Sequence, residues 1–399
     1  MKNLKLLFLL CAIISFSCKR VIPPTPAPIT GPTNFCMGAK GFQYSIAAVN
    51  DVSYYMWSVP DDATIASGQG TTSITVNFGK HAGTICVRAN NSKEESSDAS
   101  CLAVTLGCVS NEWCRQTNFP VGRAAAVSFS TGNKGYISTG HNTVNIFKDL
   151  WEFDPETSSW TQKADIGGVA RAGAVGFSIS NKGYLGTGED AASNRLNDFW
   201  EYDPVSNQWN LKAPLPIGRY RAVGFAINGK GYIGTGSISS TVGYSNDFWQ
   251  YNPVTNVWLS MANFSGSSRQ GAVGFSISNS GYIGTGIDST LNYTNDFWEY
   301  NSITNSWSPI ATFGGYRFSS FGFSMNGKAY IGAGQDDNGN YRKDIWEYTP
   351  FSNSWLHKSD FPGTSRVDAT GFSIGDNAFI GTGYDNTGNN TSDFYEYKQ

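Results

Sequence analysis

Charge is scarce in this chain. Asp, Glu, Lys and Arg make up only 15% of its 399 residues, and 28 cations against 31 anions leave a formal net charge of −3. There is no basic stripe to track a phosphate backbone or an anionic membrane surface, so no nucleic-acid partner is expected. Histidine is limited to three residues, and no cysteine follows Cys114. Sustained helical periodicity is missing. So is any apolar run of the about 20 residues needed for a membrane-spanning helix. Glycine and aromatics are plentiful by contrast, at 45 residues and 14%. That pairing belongs to all-β chains with many tight turns. With 40% hydrophobic residues the chain can bury a large core, and its length allows two or three domains.

The N-terminus begins Met1-Lys2-Asn3-Leu4-Lys5, continues in an apolar run from Leu6 to Phe16, and reaches Ser17-Cys18-Lys19-Arg20. Two lysines, a short apolar core and a small residue before cysteine define a signal peptide over residues 1–18. The segment resembles a bacterial lipobox, with Ser15 where the strict pattern has leucine. The resemblance implies lipidation of Cys18 as the new N-terminus. Cys11, preceded by Leu10, is a poor acceptor. Residues 19–34 carry Pro23, Pro24, Pro26, Pro28 and Pro32. They are expected to form an extended, polyproline-like linker that does not pack. The chain is therefore expected in the cell envelope as an outer-membrane lipoprotein, facing the periplasm or the surface and meeting the membrane only through its anchor.

Residues 35–107 read as short alternating runs separated by turn residues: Phe42 to Val49, Ser53 to Val59, Thr72 to Phe78, Gly83 to Ala89 and Ser100 to Leu106. Strands at this spacing predict a small Ig-like β-sandwich, with Trp57 as its core aromatic. The stretches Tyr55 to Pro60, Gly70 to Val76 and Gly83 to Val87 resemble PKD-like domains of exported bacterial proteins, which implies a spacer or adhesive module. In an oxidising compartment some of Cys36, Cys86, Cys101, Cys108 and Cys114 should pair. Cys86 and Cys101 flank a turn centred on Lys93-Glu94, which sets them opposite each other across a hairpin. They form the preferred disulfide. Cys108 can pair with Cys114, Cys36 competes for either, and one thiol is left over.

Beyond residue 120 a single unit recurs. Aspartates opening an aromatic-rich strand stand at Asp149, Asp198, Asp247, Asp296, Asp344 and Asp393, spaced by 49, 49, 49, 48 and 49 residues. Strand ends such as Gly186-Thr187-Gly188 and Gly234-Thr235-Gly236 recur in step, as do pairs such as Tyr202 with Trp209 and Tyr251 with Trp258. A period near 50 with four strands per unit resembles the kelch repeat, with Gly-Thr-Gly in place of its doubled glycine. The resemblance implies an all-β fold: a six-bladed kelch-type β-propeller over residues 109–399, preceded by the Ig-like sandwich. The sixth unit ends at Gln399 without a tryptophan-bearing fourth strand. Asn111 to Thr117 aligns with Ser158 to Ala164, so residues 109–120, with Trp113, are expected to supply the closing outer strand of blade six.

Blade geometry puts the longest loops on one face, roughly His141 to Lys148, Glu189 to Asn197, Ser237 to Asn246, Ile287 to Asn295, Gln335 to Lys343 and Tyr384 to Ser392. Residues there that break the six-fold pattern are the ligand-binding candidates: His141, Arg195, Arg221, Tyr244, Tyr293, Tyr341, Arg342 and Tyr384. Arg123, Arg171, Arg219, Arg269, Arg317 and Arg366 open the first strands as a channel-face ring. Guanidinium groups there would suit a carboxylate, sulfate or phosphate. A feature in every blade is explained more simply by a contact every blade makes, for instance with the equally periodic aspartates. Asp336 to Asn340 and Asp385 to Asn389 lack the spaced bidentate glutamate of a calcium loop, and turn chemistry accounts for them. No metal, cofactor or catalytic residue is expected.

Two enzyme families built on kelch propellers bear on function. A galactose oxidase copper centre needs two histidines and a tyrosine crosslinked to cysteine; after Cys114 only His141 and His357 remain, and no cysteine does. A sugar-converting enzyme resembling sialic acid epimerase needs only acidic and basic groups, which the arginine-bearing face could supply. The expectation is a non-catalytic, monomeric binding or scaffolding protein that recognises a glycan or a protein through its loop-rich face.

Overall fold

The computed structural model describes residues 22–36, 38–107, 112–238 and 243–399. The leader, with Cys11 and the lipidation candidate Cys18, lies outside the described residues, as does Cys108. Among those described, everything regular is β-strand except one 3₁₀ turn at Pro350–Ser352. Among the described residues no helix is long and apolar enough to cross a membrane. The chain divides into two compact units, Met1–Gly107 and Cys108–Gln399.

The first unit is a sandwich of two sheets. One orders Asn34–Phe35, Ser100–Leu106, Gly83–Asn90 and Tyr54–Ser58; the other orders Phe42–Ser45, Ser73–Asn77 and Thr64–Ser67. Alternation decides what is buried: along Tyr54–Ser58, Tyr55 and Trp57 face inward while Tyr54, Met56 and Ser58 face out. Trp57 packs with Tyr44, Ile74, Val76, Ile85 and Val87, and its indole N–H donates to the Thr71 carbonyl at 2.8 Å. Cys86 lies directly opposite Cys101 in the hairpin register, and the two are disulfide-bonded. Cys36 is also in disulfide form.

The proline-rich segment corrects the linker expectation. Pro23, Pro26 and Ile29 are buried while the residues between them are exposed. Burial at every third position is the period of a polyproline helix, so the segment is extended but lies against the sandwich. Ile29 joins its core, Thr30 bridges to Ser45, and the Pro32 carbonyl accepts the Tyr44 hydroxyl at 2.8 Å. Proline composition set the backbone shape; packing was carried by one isoleucine and two ring faces.

The second unit is a β-propeller. Its described residues form six four-stranded antiparallel sheets, with inner strands Val127–Thr131, Val175–Ile179, Val223–Ile227, Val273–Ile277, Phe321–Met325 and Thr370–Ile374. Each inner strand touches the next, and the sixth touches the first. Room for this contact comes from glycine in the inner strand, where a Cβ on Gly176 would run into Val127 of the preceding sheet; in the second strand a Cβ on Gly183 would run into the Phe129 ring. The outer strands are held by tryptophan. Trp209, Trp258, Trp307 and Trp355 each donate their indole N–H to a linker carbonyl of the preceding sheet, at Ala164, Ala213, Ala262 and Ala311, over 2.8 to 3.0 Å.

The last sheet is completed by the start of the unit. Trp113–Arg115 pairs antiparallel with Phe394–Lys398, setting Trp113 opposite Tyr397 and Cys114 opposite Glu396. Trp113 also donates to the Ser359 carbonyl, the same stitch the other tryptophans make. Cys114, like Cys36, is disulfide-bonded.

This seam carries an unusual carboxylate. In the second and fifth sheets the corresponding Glu201 and Glu347 accept from Tyr184 and Tyr330 and pair with Lys182 and Lys328. Phe379 and Asn377 stand at those places in the sixth sheet, and Gln116 of the first-arriving segment donates to Glu396 at 2.7 Å. Burial pushes the Glu396 carboxyl up, against the pull of Lys398 and Gln116. A carboxyl that holds its proton more tightly when folded stabilises most below its unfolded value of about 4.3, and that contribution is lost as pH rises through the folded value. Glu396→Gln is therefore expected to raise the melting temperature at pH 8 more than at pH 4. Thermal melts of both proteins at the two pH values check it, and an equal change at both would contradict it.

Candidate functional site

The loop-rich face is built on one local device repeated in four of its loops. Asp190, Asp288, Asp336 and Asp385 each accept the backbone N–H groups two and four residues on; for Asp336 these are Asn338 at 3.0 Å and Asn340 at 2.8 Å. A short side chain folding back on its own backbone gives each loop a local turn of its own. The amides hold the Asp336 and Asp385 carboxyls below the usual carboxylate range, although burial pushes the other way.

The six repeated arginines do not ring the channel mouth. Arg123, Arg171, Arg219, Arg269, Arg317 and Arg366 are buried, and each pairs with the periodic aspartate of its own sheet: Asp149, Asp198, Asp247, Asp296, Asp344 and Asp393. In the third sheet Arg219 Nη1 and Nη2 meet Asp247 Oδ1 and Oδ2 at 2.6 and 2.8 Å, and Nη1 also donates to the Thr235 carbonyl at 2.9 Å. Asp247 Oδ2 accepts the Trp249 indole N–H at 2.7 Å as well. Burial pushes Asp247 up, but Arg219 outweighs it and holds the carboxyl below its ordinary range. These groups tie the loop face to the third strand and are buried away from any anion in solution.

That contact strains its neighbours. Thr139, Thr187, Thr235, Thr285 and Thr382 sit at φ between 59° and 64°, left-handed backbone that β-branched residues avoid. Their buried Oγ1 atoms have no hydrogen-bond partner, and the fifth sheet has Ala333 there at φ 56°. Thr235→Ala is accordingly expected to leave stability unchanged or raise it by up to about 1 kcal/mol. Urea unfolding of the variant checks this, and a loss of 1 kcal/mol would contradict it.

The axis is closed by a different set. Ala125, Gly173, Arg221, Gly271, Ser319 and Asp368 all have φ between 51° and 59°. Each donates its N–H to the carbonyl of the equivalent residue one sheet earlier at 2.9 to 3.0 Å, so the six form a closed ring of backbone hydrogen bonds. From this ring Arg221 reaches across to Asp368 of the sixth sheet and to the Ser319 hydroxyl, with Tyr220 and Phe318 rings beside its guanidinium at 5.2 and 5.0 Å. Below it runs a narrow channel of about 170 Å³ lined by uncharged side chains. Arg221, a ligand candidate by sequence, is instead the bolt across the channel mouth.

The axial mouth holds a cavity of about 140 Å³ lined by Arg221, Ser319 and Asp368, and a further open space lies off the axis. A groove of about 490 Å³ runs between the fifth and sixth loops, lined by Gln335, Asn340, Tyr341, Tyr384, Asp385 and Asn386 together with Gly339 and Gly388. The Tyr341 and Tyr384 rings lie 6.5 Å apart at 64°, forming a corner rather than a slot. Tyr293 adjoins through a hydrogen bond from its hydroxyl to Gln335 Oε1 at 2.9 Å and an edge contact with Phe318.

Three of the sequence candidates therefore come together: Tyr293, Tyr341 and Tyr384. Arg342 stands at the edge, its Nε and Nη2 both on Asp336 Oδ2 at 2.8 and 2.6 Å. His141 bridges Ala124 and Ile146 within the first sheet's loop, Arg195 pairs with Glu189 over the Tyr220 ring, and Tyr244 accepts from Gln270 Nε2 at 3.0 Å. These three do not line the groove. Gln335 and the closing partner Asp368 were missed. Their signal was available, since the positions following each repeated arginine and each Gly-Thr-Gly vary from unit to unit inside nearly constant flanks.

The chain thus combines a PKD-like domain with a β-propeller. The family described as PKD-like domain matches residues 22–104. A solved structure described as "Structure of YjhT" is similar with a TM-score of 0.62 and 16% identity, over 70% of this chain and 95% of that one. At that identity the likeness is one of fold alone. No curated protein matches the chain.

Proposed function

We propose that this is a non-catalytic, envelope-anchored glycan-binding protein of the kelch-propeller type, held by a lipid on Cys18 and recognising sugar in the groove between its fifth and sixth loops. The observation that carries the reading is the corner of Tyr341 and Tyr384 beside Gln335, Asn340 and Asn386. Aromatic faces take the apolar face of a sugar ring, while side-chain amides both donate to and accept from its hydroxyls. The one acid lining the groove, Asp385, is pushed up by burial but held below its ordinary range by backbone amides and Thr387, so it is not poised to donate a proton near neutral pH. Burial of the repeated arginines takes away the cations that an acid-sugar epimerase would use.

A glycan array probed with the full-length protein tests the reading, with Tyr384→Ala as the control. Signal on at least one glycan class that the variant loses is the expected result. No signal on any glycan, with specific capture of an envelope protein through the same loops, would replace it with protein recognition.

A further inference from the structure

The charges around the groove narrow what it can hold. We infer, resting on the glycan reading, that the groove takes an uncharged, hydroxyl-bearing sugar unit and rejects acidic sugars. Every arginine of the loops and first strands is already matched by a carboxylate: the six repeated pairs, Arg221 with Asp368, Arg195 with Glu189, and Arg342 with Asp336. A guanidinium whose charge is already matched by a carboxylate attracts a uronate or a sialate less than an unpaired arginine would. Arg342 is the sharpest case, because it is the arginine nearest the groove and is half exposed, yet both its inner nitrogens are on Asp336.

The remaining charge is negative. With Asp336 matched by Arg342, Asp385 is ionised at the groove and Asp337 is exposed on the fifth loop. Tyr293 is pushed up by burial and then by Asp336 and Asp337. Lys343, the other cation of that loop, lies at its outer end, where its carbonyl accepts the Phe361 N–H of the next linker. A second anion close to one of these carboxylates would be repelled, and more strongly at a partly buried site than in open water. Beside Asp385 and the two tyrosines, the polar side chains lining the groove are amides, Gln335, Asn340 and Asn386. Each offers a donor and an acceptor, which matches a sugar hydroxyl and only half suits a carboxylate.

The test is calorimetric titration of the full-length protein with neutral gluco-, manno-, xylo- and galacto-oligosaccharides, and with oligogalacturonate, sialyllactose and heparin fragments. It is run at about 0.01 M ionic strength, where the screening length of about 30 Å favours any charge attraction. At least one neutral oligomer is expected to bind, with affinity unchanged on adding salt and at least tenfold weaker in Tyr341→Ala and Tyr384→Ala; acidic oligomers are expected to bind at least tenfold more weakly. Unchanged melting temperatures of the variants show that they fold. An acidic oligomer that binds as well as a neutral one, and is lost in Tyr384→Ala, overturns the charge inference while leaving the glycan reading standing. No binding by any oligomer overturns both.

Discussion

Replacing Arg219 by alanine is expected to destabilise the propeller by about 3 kcal/mol, an effect no exposed arginine would show. The guanidinium is 0% exposed, so its removal leaves a cavity and an unsatisfied Thr235 carbonyl, and strands the Asp247 carboxylate. Breaking a buried pair by deleting one partner costs about 3 to 5 kcal/mol. The lower end applies because Asp247 retains 20% side-chain exposure and the Trp249 donor. Arg219→Lys should recover only part of the loss, since a single ammonium cannot reproduce two parallel hydrogen bonds. Urea unfolding of alanine variants at all six positions checks this. Similar losses throughout are expected, whereas one variant that keeps full stability but loses sugar binding would return that arginine to the site.

A chain ending at Asp393 should lose the propeller altogether. Removing residues 394–399 deletes the third strand of the sixth sheet, which lies between Asn377–Gly381 and Trp113–Arg115. It exposes two open sheet edges and takes Phe394 from the cluster with Phe119, Phe153 and Phe379. Open edges invite aggregation, and a ring whose sheets each pack on two neighbours cannot lose one locally. Trp113→Ala is the milder version, expected to cost about 3 to 5 kcal/mol by analogy with other large aromatic deletions. Circular dichroism and size-exclusion chromatography check both. A truncated chain with the full-length melting temperature would show that closure contributes nothing.

Much of this architecture was readable in advance because repetition amplifies weak signals. One Asp-aromatic strand would mean little, but six at a period of 48 or 49 residues specify a wedge-shaped unit copied around an axis. The Cys86–Cys101 pairing was legible for a local reason, since a hairpin turn sets its own register. The repeated arginines were ambiguous: periodicity pointed to a shared structural contact, but their chemistry equally allowed an anion-binding rim. Only their burial against the aspartates separates the two. The proline-rich segment misled because its composition reports backbone preference and not whether a neighbouring surface is waiting for every third side chain.

Strand order, unit length and the partner of each repeated aromatic were determined by the sequence itself, because alternation and period act along the chain and need no knowledge of distant contacts. Two matters were decided only by the tertiary structure: that Arg221 crosses the axis to Asp368, 147 residues on, and that the tyrosines of two separate loops meet in one groove. Both depend on where different sheets place side chains relative to a common axis. A linear pattern can say that a residue breaks symmetry, but the direction in which its side chain reaches is set by packing around the closed ring.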